Sequence, residues 1–269
     1  HETLSSAKAI KIYHEMNLDG QIGIILNLTP SYPRNENDPE DVKAARLADA
    51  FFNRSFLDPA IKGTFPEDLV LLLKELDYLP EYTQSELELI KHNTIDILGI
   101  NYYQPRRIMK KESTERLSDK PMPDDYFDNY IWPERKMNPY RGWEIYEKGI
   151  YDCLINVRDN YGNLPCFISE NGMGVEGEER FVNADGMIED DYRIEFVQDH
   201  LKYVHQALQE GCNVKGYHMW TCMDNWSWTN AYKNRYGFIA VDLTQEGKRT
   251  IKKSGYWFKE VSDNNGFDA

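Results

Sequence analysis

The chain has 269 residues, 41% of them hydrophobic, and carries 45 acidic against 31 basic side chains for a net charge of −14. That size suits one large domain or two ordinary ones, and the broad residue mix is that of a globular protein. So negative a surface repels polyphosphate backbones and anionic bilayers, which excludes nucleic acid and membrane as expected partners. Cys153, Cys166, Cys212 and Cys222 lie far apart without a C-x-x-C pair. They read as reduced core residues of a cytoplasmic protein, and neither a metal nor a cofactor is expected. No stretch resembles a signal peptide or a membrane span.

Leu4, Ala7, Ile10, Tyr13 and Met16 fall on one face of a helix over residues 3–17, so the chain opens inside a helix. Residues 21–27 then form a nearly continuous apolar strand, as expected where both sheet faces are covered. Asp38-Pro39 supplies a cap and a first-turn proline for a helix running to Arg54. A proline-punctuated segment leads to a short helix, Gln84 to His92, and to a second buried strand over residues 95–103. Residues 104–141 are charged, proline-rich and aperiodic, which predicts a long functional loop over one face. A helix over 147–161 feeds a strand from Leu164 that ends in Glu170. After a polar loop, Ile194, Val197, Leu201, Val204 and Leu208 mark the clearest helix, over 190–209. A fourth buried strand covers 213–220, a short strand covers 238–243, and a last helix covers 250–261. A helix followed by strand–helix units predicts a parallel sheet with right-handed crossovers. Four strong units are half of what a closed eight-stranded barrel needs.

In a parallel sheet all C-terminal tips lie on one side. Those tips carry Asn27, then Asn101 with Tyr102 and Tyr103, then Glu170 with Asn171, then Trp220 with Asp224. Amides and carboxylates read hydroxyls, and indoles stack on the C–H face of a sugar ring, so the set suits a carbohydrate. The chain has six tryptophans, and Trp220, Trp226 and Trp228 sit together among polar residues. They read as a sugar-stacking wall more than as a buried cluster. The bland alternative for Glu170 is a surface carboxylate in a strand-to-loop turn. No Ser-His-Asp or Cys-His arrangement is evident, and His92, His200 and His205 read as ordinary surface residues of helices.

Ile168-Ser169-Glu170-Asn171-Gly172 resembles the I-T/S-E-N-G signature of family 1 glycoside hydrolases, the retaining β-glucosidase family. Gly23 to Asn27, Asn53 to Pro59, Gly99 to Tyr103, Gly142 to Tyr146 and Met219 to Asn225 resemble further landmarks of that family, in its order. The resemblance covers essentially the whole chain. It implies that Glu170 is the nucleophile, that Tyr103 hydrogen-bonds it and that Asn101 lies beside it in the glycone pocket. It also implies an indole platform at Trp220 and an aglycone border at Trp143. Where ordinary members have N-F-E-W, this chain has Asn225-Trp226-Ser227-Trp228. The missing Glu would oppose a sugar 6-phosphate, at about 4 kcal/mol for one like-charge pair near 4 Å and an effective dielectric near 20. Serine at 227 therefore resembles the 6-phosphoglycosidase branch, which adds a lysine and a tyrosine to hold phosphate. Tyr236 matches that tyrosine; Asn234 aligns with the lysine, with Lys233 one residue earlier, and either could serve. Trp228 also suits a phosphogalactosidase.

The resemblance further implies a single segment over 1–269: the C-terminal half of a (β/α)8 TIM barrel, strands five to eight with their helices and long loops. The family's acid/base Glu sits in an N-E-P motif absent from this sequence. The expectation is a segment for 6-phospho-β-D-glucosides that is inactive alone and associates with itself or with a complementary N-terminal half. The rivals are a 6-phospho-β-galactosidase, a neutral β-glucosidase and, in a different class, a non-catalytic sugar-binding half-barrel.

Overall fold

The computed structural model describes residues 1–114 and 121–268. Its four apolar runs form β1 (Gly23–Asn27), β2 (Ile97–Asn101), β3 (Cys166–Asn171) and β4 (Val214–Met219). They lie side by side in chain order in one sheet, every pairing parallel. Helix α1 (Glu2–Glu15) precedes β1, and α2 (Pro39–Asp49), α3 (Glu67–Glu75) and α4 (Gln84–His92) connect β1 to β2. Then α5 (Lys148–Asn160) joins β2 to β3, α6 (Asp191–Gln209) joins β3 to β4, and α7 (Lys253–Asn264) follows. The expected caps form: Asp38 accepts from the Glu40 amide at 3.0 Å, and Thr83 with Glu86 makes a capping box at α4. Among the described residues no helix is long and apolar enough to cross a membrane.

One sheet face carries the core. Leu98, Ile100, Cys166 and Ile168 pack with Ile150, Leu154 and Val157 of α5 and Val204 and Ala207 of α6. The other face is open, contrary to the expectation for β1. Its residues alternate exposed and half-buried, and Ile25 is 56% exposed. A continuous apolar run signals two faces meant for burial, and here only the helix-side face has a layer on it. Gly99 lies on the open face, where a Cβ would come within 2.7 Å of Ile25 and 3.1 Å of the Ser169 hydroxyl.

Several expectations need correction. The loop predicted over 104–141 (its stretch 115–120 lies outside the described residues) contains strands. Arg106–Lys110 pairs in parallel with Ser31–Pro33 and antiparallel with Phe127–Asn129, while Lys136–Met137 pairs with Glu144–Ile145. In Arg106–Lys110 only Ile108 is fully buried, so charged side chains hide the strand period. Helix α3 was hidden by the prolines around it. The helix from Asp38 does not stop at Arg54; it winds on through π-helical turns to Lys62 and ends at Gly63, φ 70°. Buried Asn53 holds that winding to the end of β1, accepting from the Thr29 amide and donating to the Thr29 carbonyl, both at 3.0 Å. The last helix starts at Lys253 because Lys248–Ile251 pairs with Ile239–Asp242. Cys222 is exposed, unlike the other three cysteines.

His200 is not a surface residue. It lies on α6 and is fully buried, its ring 4.1 Å from that of Phe196 on the same helix and 6.1 Å from that of Tyr102. Nδ1 donates to the Phe196 carbonyl at 2.7 Å, and Nε2 has no partner. Burial pushes its pKa down to about 4. The unfolded chain takes up this proton near pH 6.5 while the folded one does not, so stability falls as pH drops from about 6.5 toward 4. Acid unfolding followed by circular dichroism is expected to be shallower in His200→Phe over that window, by up to about 3 kcal/mol. Parallel curves for the two proteins would refute this.

Candidate active site

A one-residue irregularity in β3 creates the site. Ile168 pairs with Ile100, but Glu170 pairs with Asn101, so Ser169 is an extra residue on its strand. Cys166 and Ile168 point into the helix-side core. Strict alternation would send Glu170 there too; the bulge turns it to the open face instead. There Tyr103 donates its hydroxyl to Glu170 Oε2 at 2.7 Å. Burial, and then this bond, push the phenol well above its ordinary pKa, so it stays a donor. Ser169 Oγ donates to Asn101 Oδ1 at 2.6 Å on the same face. Asn171, one residue on, points back inward. Its Nδ2 donates to the Tyr102 carbonyl at 2.8 Å and its Oδ1 accepts from Tyr217 at 2.7 Å. Gly172 admits no side chain, since a Cβ would lie 2.0 Å from the Trp220 carbonyl oxygen.

Around Glu170 the predicted residues fall into two groups. Tyr103 and Trp143 meet edge to face with ring centroids 5.6 Å apart. Half-buried Trp220 donates its amide to the Asn171 carbonyl at 2.9 Å and precedes a cis peptide bond to Thr221. The second group lies on the loop after β4. Ser227 and Ala231 exchange both backbone hydrogen bonds at 2.9 Å, closing a tight turn. Trp228 at its tip is 97% exposed and Trp226 is 66% exposed, so the aromatic stretch is not a buried cluster. Lys233 is exposed and pairs with Glu176 at 3.3 Å. Asn234 is buried, in a short strand opposite Glu176. Tyr236 is buried with its ring against Gly174, where a Cβ would lie 2.5 Å away.

Two features were not foreseen. Buried Asn138 builds a turn that carries Trp143: its carbonyl accepts from Gly142 at 2.9 Å, its Oδ1 accepts from the Tyr140 amide at 3.0 Å, and its Nδ2 donates to the Gly174 carbonyl at 2.9 Å. Asn138-Pro139 ahead of a glycine is a turn signal that could have been read. Arg141 on that turn lies over the Trp143 ring at 4.2 Å and donates through Nε to the Tyr236 hydroxyl at 3.1 Å.

Behind the loops lies a buried charge network. Arg193 bonds Glu178, Asp190 at 2.9 Å, the Met173 carbonyl at 2.6 Å and the Tyr236 carbonyl at 3.1 Å. Lys252 bonds Glu178, and Asp224 at 3.1 Å, while Asp224 accepts from the Gly237 amide at 2.9 Å. Burial and the neighbouring Arg193 lower the Lys252 pKa. The network pins the loop after β3 to the loop after β4, and so the Glu170 side of the site to the Tyr236 side.

A parallel α/β sheet that gathers a carboxylate, a phenol, an amide and indoles at its C-terminal strand ends has the architecture of a barrel-type enzyme site. The chain belongs to glycosyl hydrolase family 1, which matches residues 1–267. It is 64% identical to the 6-phospho-beta-glucosidase GmuD of Bacillus subtilis (strain 168), over 99% of this chain and 57% of that protein. Beta-glucosidase A of Acetivibrio thermocellus is 38% identical, over 98% of this chain and 56% of its own length. The solved family 1 b-glucosidase from Thermotoga maritima superposes with a TM-score of 0.84 at 32% identity, over 98% of this chain and 55% of that one. The chain thus spans little more than half the length of these relatives.

Proposed function

We propose that the chain is the nucleophile-bearing, C-terminal half of a retaining glycosidase acting on 6-phospho-β-D-glucosides. The observation that carries this reading is the Tyr103–Glu170 pair, held on the open sheet face at 2.7 Å. Retaining hydrolysis needs a second carboxyl group about 5 Å from the nucleophile, to protonate the leaving group and then activate water. On this reading that group comes from a complementary barrel half, which meets the open face and the free edges of β1 and β4, and the chain alone does not turn over. Glu170 attacks the anomeric carbon. Tyr103 orients it, Asn101 reads a glycone hydroxyl, Trp220 supports the ring, and Trp143 borders the leaving group. Ser227, with Tyr236 and Lys233 or Asn234, accommodates the 6-phosphate, and Trp228 becomes a wall only when a ligand or the other half covers it. The identity to a 6-phospho-beta-glucosidase favours gluco over galacto substrates, and phosphorylated sugars place the protein in the cytoplasm.

The test is hydrolysis of an aryl 6-phospho-β-glucoside against the plain aryl β-glucoside by the chain combined with its complementary half. Strong preference for the phosphorylated substrate is expected. Ser227→Glu should cut that preference by on the order of 10³-fold, the cost of one like-charge pair. Equal rates on both substrates with the parent protein would defeat the phosphorylated-substrate reading.

A further inference from the structure

Arg141 has a guanidinium with no carboxylate against it among the described residues. Its Nε is engaged with the Tyr236 hydroxyl and its plane with the Trp143 ring, and among the described residues its terminal amino groups carry no hydrogen bond. Arg135 and Arg249 likewise form no ion pair among the described residues; Arg141 differs in lying against Trp143 and Tyr236. Arg107, on the strand next to this loop, is held by Glu144 at 2.6 Å, and Arg193 behind it is held by Glu178 and Asp190. Of the cations on the loop after β4, Arg235 lies 3.8 Å from Asp224, and Lys233 is already paired with Glu176 and lies at the surface. An exposed lysine so neutralised has little to offer an incoming anion.

The placement of Arg141 is built rather than incidental. Asn138 fixes its turn by bonds at both ends, and Gly142 takes the left-handed φ of 84° that lets the turn close. Contacts then run without a gap from Glu170 to Tyr103, Trp143, Arg141 and Tyr236. We propose that Arg141 is a specificity-determining residue of this site, its free fork binding the phosphoryl group of the sugar while Tyr236 donates alongside. A planar fork with two unengaged amino groups matches two phosphate oxygens, whereas lysine offers a single point of charge. Stacking on Trp143 and the bond to Tyr236 hold the fork before ligand arrives, so little side-chain entropy is lost on binding. This proposal rests on the reading that the substrate is phosphorylated.

Titration calorimetry of the chain with glucose 6-phosphate and with glucose tests both. The parent chain is expected to bind glucose 6-phosphate more tightly. Arg141→Met should weaken glucose 6-phosphate by on the order of 100-fold and leave glucose unchanged, with Arg141→Lys recovering part of the loss. Lys233→Met should cost about threefold or less. If Arg141→Met keeps the parent preference, the proposal fails and the phosphorylated-sugar reading stands. If the parent chain shows no preference, that reading fails and the proposal with it. Equal weakening of both ligands would assign Arg141 to holding the loop and also overturns the proposal.

Discussion

Glu170→Gln is expected to abolish covalent labelling by a 2-deoxy-2-fluoro-6-phospho-glucoside, and to lower hydrolysis by the completed barrel by about 10⁴-fold or more. Glutamine keeps the shape of the side chain and can still accept from Tyr103, so the fold and sugar binding should persist. The amide lacks the charge and nucleophilicity to displace a leaving group. Mass spectrometry of the inactivated protein reads the result directly, as one added glycosyl mass on the peptide containing residues 166–171. A label on another residue, or undiminished hydrolysis in the variant, would remove Glu170 from the role of nucleophile. No label on the parent protein in its completed barrel would favour a sugar-binding half-barrel instead.

The second large effect concerns stability. Lys252→Met is expected to destabilise the chain by about 3–5 kcal/mol, because it strips a buried cation from Glu178 and Asp224. In a protein of this size that lowers the midpoint of thermal unfolding by on the order of 10 °C. A double variant, Lys252→Met with Asp224→Asn, should regain part of the loss, since a neutral amide tolerates burial better than an unpaired carboxylate. A midpoint unchanged within about 2 °C in the single variant would mean that water reaches the network and that its ions are solvated.

The parts of the fold with a strong period were legible in advance. The helix marked by Ile194, Val197, Leu201, Val204 and Leu208 forms within a residue of its expected ends, and the four apolar strands and their order are as read. Short strands such as Arg106–Lys110 and Lys248–Ile251 were not legible, because they pair at the surface and one buried residue or none leaves no alternation to detect. His200 was misjudged for a related reason. Its place on α6 lies on the stripe facing Tyr102, and a polar residue type on a buried stripe looks like decoration. That Asn101, Tyr103, Glu170 and Trp220 gather at the C-terminal strand ends followed from parallel topology, whereas the bulge that turns Glu170 to the open face left no mark on the sequence pattern. The roles of Asn138, Arg141 and Lys252 depend on contacts between segments tens of residues apart, which composition and period do not encode.

The aim of Glu170 is stored in the backbone bulge of β3 and in no side chain. With Ser169 removed, Glu170 would follow Ile168 directly and stay opposite Asn101 on the open face; with Ser169 kept and the bulge straightened into strict alternation, the carboxylate would swing toward Ile150 and Leu154, where no water meets it. Substitutions that leave the bulge in place can therefore accumulate without redirecting the chemistry, while a straightened ladder trades a reactive group for a buried charge. A lineage free to change the letters of this strand is not free to straighten it with Ser169 in place.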